Sequence, residues 1–148
     1  MNILEAHPME ELTKKQFRNV LIVDDDEDDC SLIAETLQEI DKKTICELQF
    51  DGRSALAHII DAEKLPDIVF LDLHMPKMNG IELLKVLKSD PALADIPVVI
   101  CTDSKMASEM EECKKLGAAH FIMKPASFVL IKYEIRKALK AISNSLVS

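Results

Sequence analysis

The stretch VLIVDDDEDD, Val20 to Asp29, runs four aliphatic residues directly into six acids. The aliphatic half suits a strand covered on both faces. The acidic half is its opposite, because clustered carboxylates disfavour one another's ionised forms, most strongly where water is scarce. Such charges at the mouth of a core element need a metal ion, a basic partner or full solvation.

Further apolar runs follow: ICELQF (45–50), IVFL (68–71), IPVVIC (96–101) and HFIM (120–123). ICELQF alternates Ile45, Glu47 and Gln49 with Cys46, Leu48 and Phe50, the pattern of an edge strand. The segments between carry helical spacing: Leu32, Ile33, Leu37 and Ile40; Ala55, Leu56, Ile59 and Ile60; Ile81, Leu83, Leu84, Val86 and Leu87; Met106, Met110, Cys113 and Leu116; Phe128, Ile131, Ile135, Leu139 and Ile142. Strands alternating with helices predict right-handed βαβ units around a parallel sheet. The fold class is therefore α/β and doubly wound, with ligands expected at the carboxyl ends of the strands.

A chain of 148 residues suits one domain with a proper core. We expect a tail over 1–18, in which MEELTKKQ makes a helical turn or two without a strong apolar face, a globular unit over 19–142 and a short tail over 143–148. A net charge of −8 argues against a nucleic-acid surface, and the absence of Trp against a base-stacking platform. No signal peptide or membrane-length apolar run is present, so a soluble cytoplasmic protein is expected. Cys30, Cys46, Cys101 and Cys113 lie in or beside apolar runs with no CxxC spacing, and read as reduced, largely buried thiols. The histidines have no zinc-type spacing.

The doubly wound topology gathers Asp24 and Asp25 after the first run, Asp72 after the third, Thr102 after the fourth and Lys124 after the fifth. Three acids, a hydroxyl and a lysine in one crevice form a chemical constellation. Mg²⁺ is commonly held by one or two carboxylates, with water and a substrate phosphate completing its shell. Asp26, Glu27, Asp28 and Asp29 need no metal, since negative charge suits the first turn of the following helix. Asp24, Asp26, Asp28 and Glu35 also fall at EF-hand spacing, but Asp29 stands where that loop requires Gly, and a strand rather than a helix precedes it.

LIVDDDEDD, VFLDLHMPKMNGIELL, PVVICTDS and FIMKP, in this order, resemble the receiver domains of two-component response regulators, in particular the single-domain chemotaxis (CheY-like) type. The resemblance covers residues of about 18 to 142. It implies a flavodoxin-like (βα)5 sandwich with strand order 2-1-3-4-5. Asp72 is similar to the phosphoacceptor of that family, fed by a phosphohistidine on a sensor histidine kinase or phosphotransfer protein. Asp24, Asp25, Asp72 and the backbone carbonyl of His74 resemble its Mg²⁺ (or Mn²⁺) ligands. Lys124 matches the phosphate-contacting lysine, Thr102 the switch hydroxyl and Phe121 the switch aromatic. The family also implies a cis peptide between Lys124 and Pro125 and an output surface over residues of roughly 105–140.

Asp103, His74 and Phe121 depart from the commonest family pattern. Asp103 and His74 are expected to modulate phosphoryl lifetime, and Phe121, lacking the hydroxyl of Tyr, to switch by packing alone. Met75, Met78, Met106, Met110 and Met123 read as gap fillers. Two alternatives compete. A haloacid-dehalogenase-type hydrolase also uses an Asp after an apolar strand, but needs an acid where His74 stands. A pseudo-receiver would bind partners without phosphorylation, yet its acids would be degraded. The favoured reading is not a conventional enzyme. No effector domain follows, so output is expected through a protein partner or self-association.

Overall fold

The computed structural model describes residues 17–147, with side chains to residue 145; residues 1–16 of the expected tail over 1–18, MEELTKKQ included, lie outside the described residues. Among the described residues ten elements alternate: β1 (Asn19–Val23), α1 (Glu27–Ile40), β2 (Ile45–Gln49), α2 (Gly52–Asp61), β3 (Ile68–Leu71), α3 (Gly80–Ser89), β4 (Val98–Thr102), α4 (Ala107–Leu116), β5 (His120–Met123) and α5 (Phe128–Val147). The strands form one parallel sheet of order β2-β1-β3-β4-β5. This is the flavodoxin-like arrangement expected, with β2 on an edge.

Period-two alternation divides the core between the two faces of the sheet. Val20, Ile22, Ile68, Phe70, Val99, Cys101 and Ile122 pack beneath α1 and α5, against Ile33, Leu37, Ile131, Ile135 and Leu139. Leu21, Val23, Val69, Leu71, Val98 and Ile100 face the opposite layer, against Ala55, Ile59, Leu83, Leu84, Leu87 and Cys113. Every residue of β1 after Asn19, and every residue of β3 and β4, is buried. Their uninterrupted apolar runs follow from helices covering both faces.

Helix starts are locally encoded. The Asp26 carboxylate accepts from the amides of Asp28 and Asp29 and so caps α1. Asn79 and Glu82 form a reciprocal capping box on α3. The helical trajectory from Glu27 removes the EF-hand alternative, because Asp26 and Asp28 belong to a cap and a first turn.

Three local expectations are corrected. Ile60 is exposed, since of the adjacent pair only Ile59 can face the sheet. Met106 is exposed because it precedes α4 as its N-cap residue and does not share the helix's inner face. Phe128 is exposed at the first position of α5, one turn before Ile131 reaches the core. That helix continues beyond Ile142 to Val147, with Ser143 buried in line with Leu139. At the other end Phe17 is already buried in the core, and its carbonyl accepts from Thr44 Oγ1 at 3.2 Å, so packing begins before residue 19. All four cysteines are free, with Cys30, Cys101 and Cys113 buried. Among the described residues no helix is long and apolar enough to cross a membrane.

Candidate functional site

Backbone pairing carries the sheet one residue past its formal strand ends. The amide of Asp24 donates to Gln49 O at 3.0 Å, that of Asp72 to Val23 O at 2.9 Å, and that of Lys124 to Thr102 O at 2.8 Å. Each bond fixes a polar residue to the neighbouring strand, and together they align Asp24, Asp72, Thr102 and Lys124 along the carboxyl edge. The sequence placed these residues there from chain order alone, and the structure brings them together.

Asp24 is 2% exposed, Asp72 and Thr102 are also buried, and Asp25 faces solvent. Carboxylate oxygens of Asp24, Asp25 and Asp72 all lie within 4.8 Å of one another. One oxygen of each buried acid is occupied by backbone: Asp24 Oδ1 accepts from Asp26 N at 2.9 Å, and Asp72 Oδ1 from Leu73 N at 2.8 Å. The other oxygens face Lys124, whose Nζ lies 2.7 Å from Asp24 Oδ2 and 3.7 Å from Asp72 Oδ2. Nζ also lies 2.7 Å from Asp29 Oδ2, in the first turn of α1. The lysine side chain is only 5% exposed.

The electrostatics follow from this burial. Loss of water pushes the Asp24 carboxyl up to about 6, and the charge of Asp72 adds to the rise against the opposing hydrogen bonds from Lys124 and Asp26. Burial alone would disfavour the Lys124 ammonium. The hydrogen bonds to Asp24 and Asp29 and the charge of Asp72 outweigh it, holding the amine above its ordinary value. Burial also pushes the thiols of Cys30 and Cys101 up to about 12, so neither is a nucleophile here. Three hard oxygen donors, two of them facing one lysine, form a set that fits a divalent cation.

A glycine sets the position of Asp72. A Cβ on Gly80 would meet Asp72 O at 2.1 Å and Leu73 Cα at 2.8 Å, so the start of α3 rests directly on the backbone of the candidate nucleophile. The Gly80 amide donates to Leu73 O at 2.9 Å, closing that loop.

The remaining expected residues sit around this centre. Thr102 Oγ1 accepts from Ser104 N at 3.2 Å, which shapes the turn after β4. Asp103 is exposed. Phe121 pairs with Ile100 and is half-buried against the core layer that holds Leu71 and Val98. His74 has a side chain 61% exposed, and its Nε2 lies 3.1 Å from Glu109 Oε1, which also accepts from Ser104 Oγ. The Lys124–Pro125 peptide is trans, against the cis bond implied by the resemblance. Trans is the intrinsically preferred isomer by about 0.5–1 kcal/mol, and Lys124 reaches both acids with it. Two contacts escaped sequence reasoning: Asp29 with Lys124, and Glu109 with His74. Neither pair has a local spacing signal.

The response regulator receiver domain family matches residues 20–136. The polar-differentiation response regulator DivK of Brucella ovis is 31% identical over 111 residues, spanning 74% of this chain and 86% of DivK. Other curated relatives are much longer, and the chain spans only 26% and 28% of the length of two of them. The phosphorylated cyanobacterial phytochrome response regulator RcpA superposes with a TM-score of 0.77 at 28% identity, covering 82% of this chain and 91% of RcpA. The Mn²⁺-bound form of response regulator Rcp1 superposes with a TM-score of 0.75 at 25% identity, covering 81% and 90%. With strand order, acid cluster and lysine agreeing, this chain belongs to the receiver domain family of two-component response regulators.

Proposed function

We propose that this receiver accepts a phosphoryl group on Asp72 from a phosphohistidine donor, a sensor histidine kinase or a histidine phosphotransfer protein, and that the modification alters partner binding. The observation that carries the reading is the meeting of Asp24, Asp25 and Asp72 within 4.8 Å, with Lys124 bridging Asp24 and Asp72.

Asp72 Oδ1 is held by the Leu73 amide, which leaves Oδ2 as the attacking atom. As the Oδ2–P bond forms, the donor's P–N bond breaks and its electron pair stays with the imidazole. Lys124, already 3.7 Å from Oδ2, counters charge on the transferring oxygens. Mg²⁺ (or Mn²⁺), when bound by Asp24, Asp25, Asp72 and the His74 carbonyl, would supply Lewis-acid stabilisation of the same oxygens. Thr102 uses its oxygen as an acceptor for Ser104 N, so its own O–H proton can be given to a phosphoryl oxygen. Movement of Thr102 toward the phosphoryl group would vacate space for half-buried Phe121 to turn inward. A coupling of about 1–3 kcal/mol changes partner affinity about 5–150-fold.

The output surface is assigned to residues of roughly 105–140, read by a protein partner or a second copy. Met106, Met123, Phe128, Val129 and Tyr133 leave large apolar side chains exposed there, which supports the assignment. His74 and Asp103 flank the site as modulators of phosphoryl lifetime. The test is intact mass after incubation with phosphoramidate and Mg²⁺. One phosphoryl group per chain is expected, and none without the metal; no gain with Mg²⁺ present overturns the proposal.

A further inference from the structure

The first turn of α1 sends one of its acids across the site. Asp29 is the third residue of the helix, its amide is fixed to Asp26 Oδ1 at 3.2 Å, and its carboxylate reaches the end of β5 to meet Lys124 Nζ at 2.7 Å. A lysine ammonium sits on a flexible four-carbon stem and does not orient itself. It has three N–H donors. Two are committed here, to Asp24 Oδ2 and Asp29 Oδ2. The third is left for Asp72 Oδ2, which at 3.7 Å is too far for a hydrogen bond and leaves room for an oxygen of an incoming group.

The two anchors are not equivalent. Asp24 belongs to the carboxylate set that fits a cation, so a bound metal competes with Lys124 for it. Asp29 lies outside that set, and its side chain, 29% exposed, stays available to the lysine. We infer that Asp29 is a positioning residue for phosphoryl transfer: it holds the Lys124 ammonium in place when Asp24 is engaged by the metal, and so aims the remaining N–H at the phosphoryl oxygens.

This inference rests on the phosphoacceptor reading above, and its test separates the two. Phosphoryl uptake from phosphoramidate with Mg²⁺ is followed over a range of donor concentrations for the parent, Asp29→Asn, Asp29→Glu, Lys124→Met and the Asp29→Asn/Lys124→Met double variant, with Mg²⁺ affinity measured by calorimetry. Asp29→Asn should slow the first-order step by about ten- to hundredfold, the scale of a lost positioning contact, with the half-saturating donor concentration little changed. Its Mg²⁺ affinity should stay within a few fold of the parent's, because Asp29 lies outside the carboxylate set. Asp29→Glu should recover most of the rate. The double variant should be no slower than Lys124→Met, since Asp29 acts through that lysine. Parental rates in Asp29→Asn, or multiplying losses in the double variant, overturn the inference. Absence of uptake by the parent instead removes the reading on which it rests.

Discussion

Replacing Asp24 by Asn should make the metal-free protein more stable at neutral pH, the reverse of the usual result of altering a buried, hydrogen-bonded residue. Asp24 sits at about 6 in the fold against 3.8 as its ordinary value. The native state thus holds the proton more tightly than the unfolded chain. Below pH ~3.8 both states are protonated and the group costs nothing. Between ~3.8 and ~6 unfolding releases a proton, so stability falls as pH rises. Above ~6 the full cost of roughly two pKa units remains, about 3 kcal/mol. Asn never ionises; its single carbonyl oxygen still accepts from the Asp26 amide, and Lys124 stays held by Asp29. For a domain of this size that is roughly 6–12 °C in Tm. The assay is thermal unfolding by circular dichroism in chelator from pH 4 to 8, comparing variant with parent so that other titrations cancel. The advantage of Asn should grow with pH and vanish near pH 4. Saturating Mg²⁺ should cancel most of it, since a ligand at a hundredfold its Kd adds about 2.7 kcal/mol to the parent alone. An Asn variant no more stable than the parent at pH 8 in chelator, or one whose advantage ignores pH, would refute the reasoning.

Three further outcomes follow from the same geometry. Gly80→Ala should destabilise the fold by about 1–3 kcal/mol in urea titration and depress phosphoryl uptake, because its Cβ would press on the backbone of Asp72. Lys124→Met should cost about 3–5 kcal/mol in the same titration, leaving Asp24 and Asp72 buried without their shared cation. Mg²⁺ should recover part of that loss. Thr102→Ala should still take up the phosphoryl group, more slowly, while NMR signals of Phe121 and α4 no longer shift on modification.

The fold was readable because its determinants are local and repeated. Val20–Val23, Ile68–Leu71 and Val98–Thr102 are apolar without interruption since helices cover both faces, and β2 alternates because it lies at the edge. Asp24, Asp72, Thr102 and Lys124 could be placed together because each immediately follows or ends a strand, where a parallel sheet gathers its carboxyl ends. What pattern reading missed is the work of side chains across the fold. Asp29 and Lys124 are 95 positions apart, and a helical window assigns Asp29 nothing beyond a favourable first turn. Glu109 bridging His74 and Ser104 is equally invisible in spacing. Helix ends are hard to read for another reason: Ile142 closes the apolar stripe, but buried Ser143 shows that packing continues through a small polar residue.

The most direct measurement is chemical trapping of the acyl phosphate. After reaction with phosphoramidate and Mg²⁺, borohydride reduces an aspartyl phosphate to homoserine, and peptide mapping locates the change. Homoserine should appear at position 72 in the parent and nowhere in Asp72→Asn. Trapping at another acid, or none in a parent that retains its fold and binds Mg²⁺, would contradict the account.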